Sequence, residues 1–232
     1  MRTAVPLLFL ISAQAVLPAD PQHPAPTPEI ALDWLKFGNE RHQTGKYVHW
    51  HQSIERRKEV AARQQPYAII LTCSDSQVPP EILFDQGLGD LYVVRVAANI
   101  AGEKELGSIE WAASQLGVPL VVVLGHQHCG VIQSAVSGRP GAGHWGTLLA
   151  SLSPAIQRAK TQPGDATDNA IRANIDAAIR QLTQSEPVLQ PLVAAKKVKI
   201  TGGYYSVESG AVQWSTGFNA PPLPHAAAPA RH

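Results

Sequence analysis

Four side chains of metal-binding type stand at the ends of two apolar runs. Cys73 and Asp75 follow Tyr67-Ala68-Ile69-Ile70-Leu71-Thr72, and His126 and Cys129 follow Val118-Pro119-Leu120-Val121-Val122-Val123-Leu124. With two residues between them on a turn, His126 and Cys129 can both face one ion, whereas neighbours such as His128 and Cys129 diverge. That spacing alone is weak. A third donor from a distant strand, Cys73, completes a set of two thiols and one imidazole, which in softness and geometry prefers zinc. The same two cysteines could instead pair as a disulfide, since both sit at strand ends that a sheet would bring together.

The elements that must position these residues are legible as patterns. Uninterrupted apolar runs separated by a helical pattern predict strands of a parallel sheet covered on both faces. In such sheets ligands bind beyond the carboxyl ends of the strands, where all four side chains lie. Residues 91–97 form a further strand after the turn signal Gly87-Leu88-Gly89-Asp90, and residues 104–116 a helix that Gly117 can cap. Helices are also expected from Pro28 to about Arg41, over 53–64, from Gly130 to Val136, over 147–160, and from a cap at Thr167 or Asp168 through Leu182. Pro79-Pro80 leaves only a turn-like segment over 81–84. Strands at 197–201 and 204–207 lead through Ser209-Gly210 into a hairpin over 211–214. The predicted class is α/β, a mainly parallel β-sheet flanked by helices with a C-terminal hairpin.

At 232 residues the chain suits one domain, and its formal charge is +1. Residues 1–15 read as an export signal: Arg2 is the basic end, residues 4–11 are apolar, and Ala13-Gln14-Ala15 is a cleavage pattern. Removing them takes away Arg2 alone and leaves 18 basic against 18 acidic residues. That balance, without a Lys/Arg cluster, gives no electrostatic reason to expect nucleic acid as a partner. No later run is long enough to span a bilayer, so after signal cleavage no membrane span is expected and the protein is placed in the periplasm or outside the cell. Residues 16–27, with Pro18, Pro21, Pro24 and Pro26, read as a Pro-rich linker, 28–218 as the domain, and 219–232 as a disordered tail.

From about residue 67 to 133 the chain resembles the β-class carbonic anhydrases. Cys73-Ser74-Asp75-Ser76-Gln77 is similar to that family's Cys-Ser/Ala-Asp-Ser-Arg, and Gly125-His126-Gln127-His128-Cys129-Gly130 to its Gly-His-x-x-Cys-Gly. Between them, Gly89-Asp90-Leu91-Tyr92-Val93-Val94-Arg95-Val96-Ala97-Ala98-Asn99 is similar to the segment Gly-Asp-Leu-Phe-Val-Val-Arg-x-Ala-Gly-Asn. The resemblance implies a β-carbonic-anhydrase-like fold, a homodimer or higher homo-oligomer, and a zinc lyase that hydrates CO₂ reversibly to bicarbonate and a proton. It also implies one Zn²⁺ per subunit held by Cys73, His126 and Cys129, with Asp75 or a water in the fourth place. Such an ion lowers the pKa of its water, and two thiolate donors should keep that water less acidic than three histidines would, favouring alkaline pH.

One departure falls on the chemistry. The family's arginine pairs with the aspartate and holds it off the metal, and here that position is Gln77. An uncharged amide weakens the pair by about 1–2 kcal/mol, enough to favour aspartate ligation roughly five- to thirtyfold. A closed site with Asp75 on the metal, and a catalytically weak or silent zinc protein, is therefore the alternative to an active hydratase. Arg95 is a candidate replacement cation, its direction unread. Trp111 and Ala98, at positions where the family usually has Tyr or Phe and Gly, are packing variations. His128, His49, His51 and His144 read as surface histidines, and Trp34, Phe37 and Trp145 as core or subunit contacts. Hydrolysis of a CO₂ analogue such as carbonyl sulfide would use the same site.

Overall fold

The computed structural model describes residues 25–215 and 217–218. The expected signal peptide, most of the linker and the tail lie outside the described residues.

Three strands carry the middle of the fold, β1 (Ala68–Thr72), β2 (Leu91–Arg95) and β3 (Leu120–His126), followed by β4 (Lys199–Tyr205) and β5 (Val212–Ser215). They form one sheet in the order β2-β1-β3-β4-β5. β1 lies parallel to β2 and β3, and β3 parallel to β4, while β5 returns antiparallel with Tyr205 opposite Val212. Every residue of β1 and β3 is buried. Two covered faces leave no solvent side to alternate toward, which is why both strands read as continuous apolar runs.

The helices are α1 (Pro28–Thr44), α2 (Ile54–Glu59), α3 (Pro80–Leu83), α4 (Glu103–Gln115), α5 (Gly130–Val136), α6 (Trp145–Ser151), α7 (Ser153–Ala159), α8 (Ala166–Thr183) and α9 (Leu189–Ala194). α8 packs on β3 and β4, α4 on β1 and β2, and α1 on β3. The approach of α8 needs glycine: a Cβ on Gly125 would stand 2.7 Å from Ile175 Cδ1, and one on Gly202 would stand 2.8 Å from Ile175 Cγ2.

Several boundaries differ from those expected. The helix expected over 53–64 starts after its Ser53 cap but stops at Glu59, and none of its residues is buried, so no packing extends it. The single helix expected over 147–160 is two, because Pro154 cannot continue a hydrogen-bond ladder and opens α7 instead. α8 is capped by Asp165, whose carboxylate accepts the Asp168 N–H at 2.8 Å, rather than by Thr167 or Asp168. The 81–84 segment is the short helix α3. β2 stops at Arg95 instead of 97, because Ala98 and Asn99 take positive φ (59° and 44°) in a short 3₁₀ turn. α9 was not expected from the sequence. No helix among the described residues is long and apolar enough to cross a membrane.

Candidate metal centre

Parallel pairing delivers the site. Thr72, the last residue of β1, is in register with Leu124 of β3. Cys73 follows Thr72 directly, His126 ends β3, and Cys129 caps α5 one turn later. The sheet thus brings together donors separated by more than fifty residues. One ligand atom from each of Cys73, His126 and Cys129 lies within 4.8 Å of the other two, and all three residues are buried.

The donors are prepared for a cation. Both cysteines are free thiols. The Nδ1–H of His126 donates to the Gln127 carbonyl at 2.9 Å, and its Nε2 is buried with no hydrogen-bond partner. A lone pair held out of water without a donor is costly, and a metal ion removes that cost. The Cys73 sulfur accepts the N–H of Ala98 at 3.2 Å and of Asp75 at 3.4 Å. A hydrogen bond from the Cys129 thiol, helped by the neighbouring His126 imidazole and those two N–H groups and opposed by burial, holds Cys73 far below the ordinary thiol range, toward the thiolate form that binds metals. Cys129, as the donor of that bond and buried as well, is pushed up. Two sulfurs, one of them biased toward thiolate, beside an imidazole nitrogen with no hydrogen-bond partner suit a borderline-soft divalent ion such as zinc.

Ala98 makes its contact with the Cys73 sulfur within the short turn Ala97–Asn99, where it takes a positive φ. A left-handed residue costs about 1–2 kcal/mol when it is not glycine. Asn174 of α8 offsets part of this by donating its amide to the Ala98 carbonyl at 2.8 Å.

Asp75 is not part of the three-residue cluster. Its Oδ1 accepts the main-chain N–H of Gln77 at 3.0 Å, and it lines a cleft of about 270 Å³ together with Cys73 and Cys129. The Gln77 side chain is exposed, and among the described residues its amide makes no hydrogen bond to Asp75. The cleft is walled by Ala97, Val131 and Trp145. Trp145, expected as a core or subunit contact, is half-buried in this chain and lines the cleft. No local pattern marked it, because α5 and α6 must fold over the sheet end before it gets there. His128 is exposed and pairs with Glu208 at 3.5 Å, and His51 pairs with Asp90.

A sequence model of the carbonic anhydrase family matches residues 68–212. The chain belongs to the β-carbonic anhydrase family. It is 34% identical over 191 residues to carbonic anhydrase 2 of Mycobacterium tuberculosis, a match covering 81% of this chain and 92% of that one. It is 35% identical to a carbonic anhydrase of Mycolicibacterium smegmatis over 194 residues, 82% and 94% of the two chains. Among solved structures it is similar to the β-carbonic anhydrase CafA of Aspergillus fumigatus, with a TM-score of 0.64, 25% identity, and 84% and 92% of the chains covered. A tetrameric β-carbonic anhydrase of Sordaria macrospora shares the fold at a TM-score of 0.63 and 22% identity, covering 80% of this chain and 94% of that one. The family comprises lyases that hydrate CO₂, and the mainly parallel sheet with its C-terminal hairpin is the family's fold.

Proposed function

We propose that this protein is a zinc-dependent carbonic anhydrase that interconverts CO₂ and bicarbonate. The observation that carries the reading is the buried Cys73–His126–Cys129 cluster with its unpartnered imidazole nitrogen, opening on a cleft that Asp75 shares. Those three residues would hold Zn²⁺, which when bound lowers the pKa of a coordinated water enough to make hydroxide near neutral pH. The rest falls to the chain. Ala97, Val131 and Trp145 give an apolar wall suited to CO₂, which lacks a charge or a permanent dipole. Asp75, its Oδ1 fixed by the Gln77 N–H, has a second carboxylate oxygen able to accept a proton-bearing nucleophile in that cleft and orient it. Stopped-flow CO₂ hydration with fully zinc-loaded protein tests this, and a rate equal to that of buffer at every pH would refute it.

A second reading is favoured by the uncharged, exposed side chain of Gln77. With no cation from residue 77 on Asp75, the carboxylate would occupy the fourth metal position, leaving a weak or silent zinc protein. Gln77→Arg separates the two: a silent parent that gains hydration on this change has a closed site, and an active parent has an open one.

We infer that the protein also assembles with itself. β2 is an edge of the sheet, and Trp34, Phe37, Trp50 and Trp111 expose 45%, 56%, 53% and 46% of their surface. An unpaired edge and large exposed aromatics suit contact with a second copy. Light scattering at micromolar concentration checks the mass, and a monomer there refutes the assembly. Export rests on residues 1–15, and N-terminal sequencing of the mature protein beginning near Val16 would support it.

A further inference from the structure

The turn that carries Asp75 is held from outside by one side chain. Arg95, the last residue of β2, donates through Nε to the carbonyl of Cys73 at 3.0 Å and through Nη2 to the carbonyl of Asp75. Those carbonyls are two residues apart and flank the stretch in which the Asp75 N–H reaches the Cys73 sulfur. The Asp75 carbonyl also accepts the Val78 N–H at 3.3 Å, and the Asp75 carboxylate accepts the Gln77 N–H, so the turn is a closed main-chain loop clamped by a guanidinium. The guanidinium, planar and with several fixed donors, holds both oxygens in one rigid geometry.

We propose that Arg95 is a positioning residue of this site, fixing the Asp75 carboxylate away from the three metal donors by clamping its main chain. Position 77 then contributes through its N–H, which any residue but proline supplies, and its side chain is secondary. This rests on the metal reading above. A plain tie between β2 and the end of β1 would stabilise the fold without affecting whether an exogenous ligand can reach the metal.

The test uses the full-length protein loaded with cobalt(II) and titrated with azide, following the visible spectrum. Azide reports an accessible fourth position, which a bound carboxylate blocks. Losing two hydrogen bonds from a charged donor, Arg95→Ala weakens azide binding by about tenfold or more. Arg95→Lys, keeping charge and one donor direction, recovers part of the affinity, and Gln77→Ala changes it less than Arg95→Ala does. If Arg95→Ala does not fold, Arg95→Lys and Arg95→Gln carry the comparison. Arg95 variants that melt lower yet bind azide as the parent does overturn the proposal, as does an equal or larger effect of Gln77→Ala. A parent that takes up neither cobalt nor zinc overturns the metal reading and this one with it, whereas a parent that binds cobalt and azide leaves the metal reading standing whatever the Arg95 variants do.

Discussion

Asn174 of α8 donates its side-chain amide to the carbonyl of Ala98 at 2.8 Å, inside the core. Through it the longest helix holds the strained residue whose N–H reaches the Cys73 sulfur. In Asn174→Ala the buried carbonyl loses this donor, at a cost of about 1–3 kcal/mol. The metal should also bind more weakly, because the Ala98 N–H is no longer held in place. Urea denaturation beside a chelator competition measures both, and a variant with parental stability and affinity would show the tie to be idle.

Gly38 lets α1 lie against α3. A Cβ there would fall 1.8 Å from the carbonyl oxygen of Phe84, which is main chain and cannot swing aside. Gly38→Ala should therefore cost at least about 1–3 kcal/mol, the usual range for overpacking. Thermal melting checks this. An unchanged melting temperature would mean that the two helices are not seated as described.

Asp85 sets an acid limit. Burial alone would raise its carboxyl, but the N–H of Val48, the Arg41 guanidinium and the N–H of His49 outweigh it and hold the pKa below the ordinary value. A depressed folded pKa means that the stabilisation is present above the unfolded value of about 3.9 and is lost as pH falls through the folded one. Asp85→Asn is expected to cost roughly 1–3 kcal/mol at pH 7. Its deficit against the parent should shrink below about pH 4. A constant deficit from pH 7 down to acid unfolding would contradict this ionic account.

Removing bound zinc should leave two free thiols, titratable once the chain is unfolded, and a less stable protein. A ligand at a hundred times its Kd adds about 2.7 kcal/mol to the folded state, so chelation should lower the melting temperature and zinc should restore it. Cys129→Ser should weaken zinc binding by more than the roughly 10–100-fold typical of losing a supporting partner. Thiol titration in denaturant decides the competing disulfide: chelated protein with no titratable thiol would mean that the sulfurs are bonded to each other.

Much of the fold and the donor set was legible in the chain itself. Ile69-Ile70-Leu71 and Val121-Val122-Val123 had to be strands covered on both faces, and parallel strands deliver the loops after them to one end of the sheet. Cys73, His126 and Cys129 are tied to those ends within three residues, so their convergence came from local pattern and one rule of topology. The ends of helices were less legible where tertiary contact decides them. The segment after Ser53 has the composition of a longer helix but no buried face, so it ends at Glu59.

The sequence by itself determined the sheet, the three donors and the family, because each depends on residue types fixed within a few positions of a strand end. Only the tertiary structure decided that Trp145 walls the cleft, that Asn174 supports Ala98, and that Arg95 grips the turn bearing Asp75. These contacts join segments from 20 to more than 70 residues apart, and the direction of a side chain across such a gap is set by how helices and strands pack. No short stretch of chain encodes that packing.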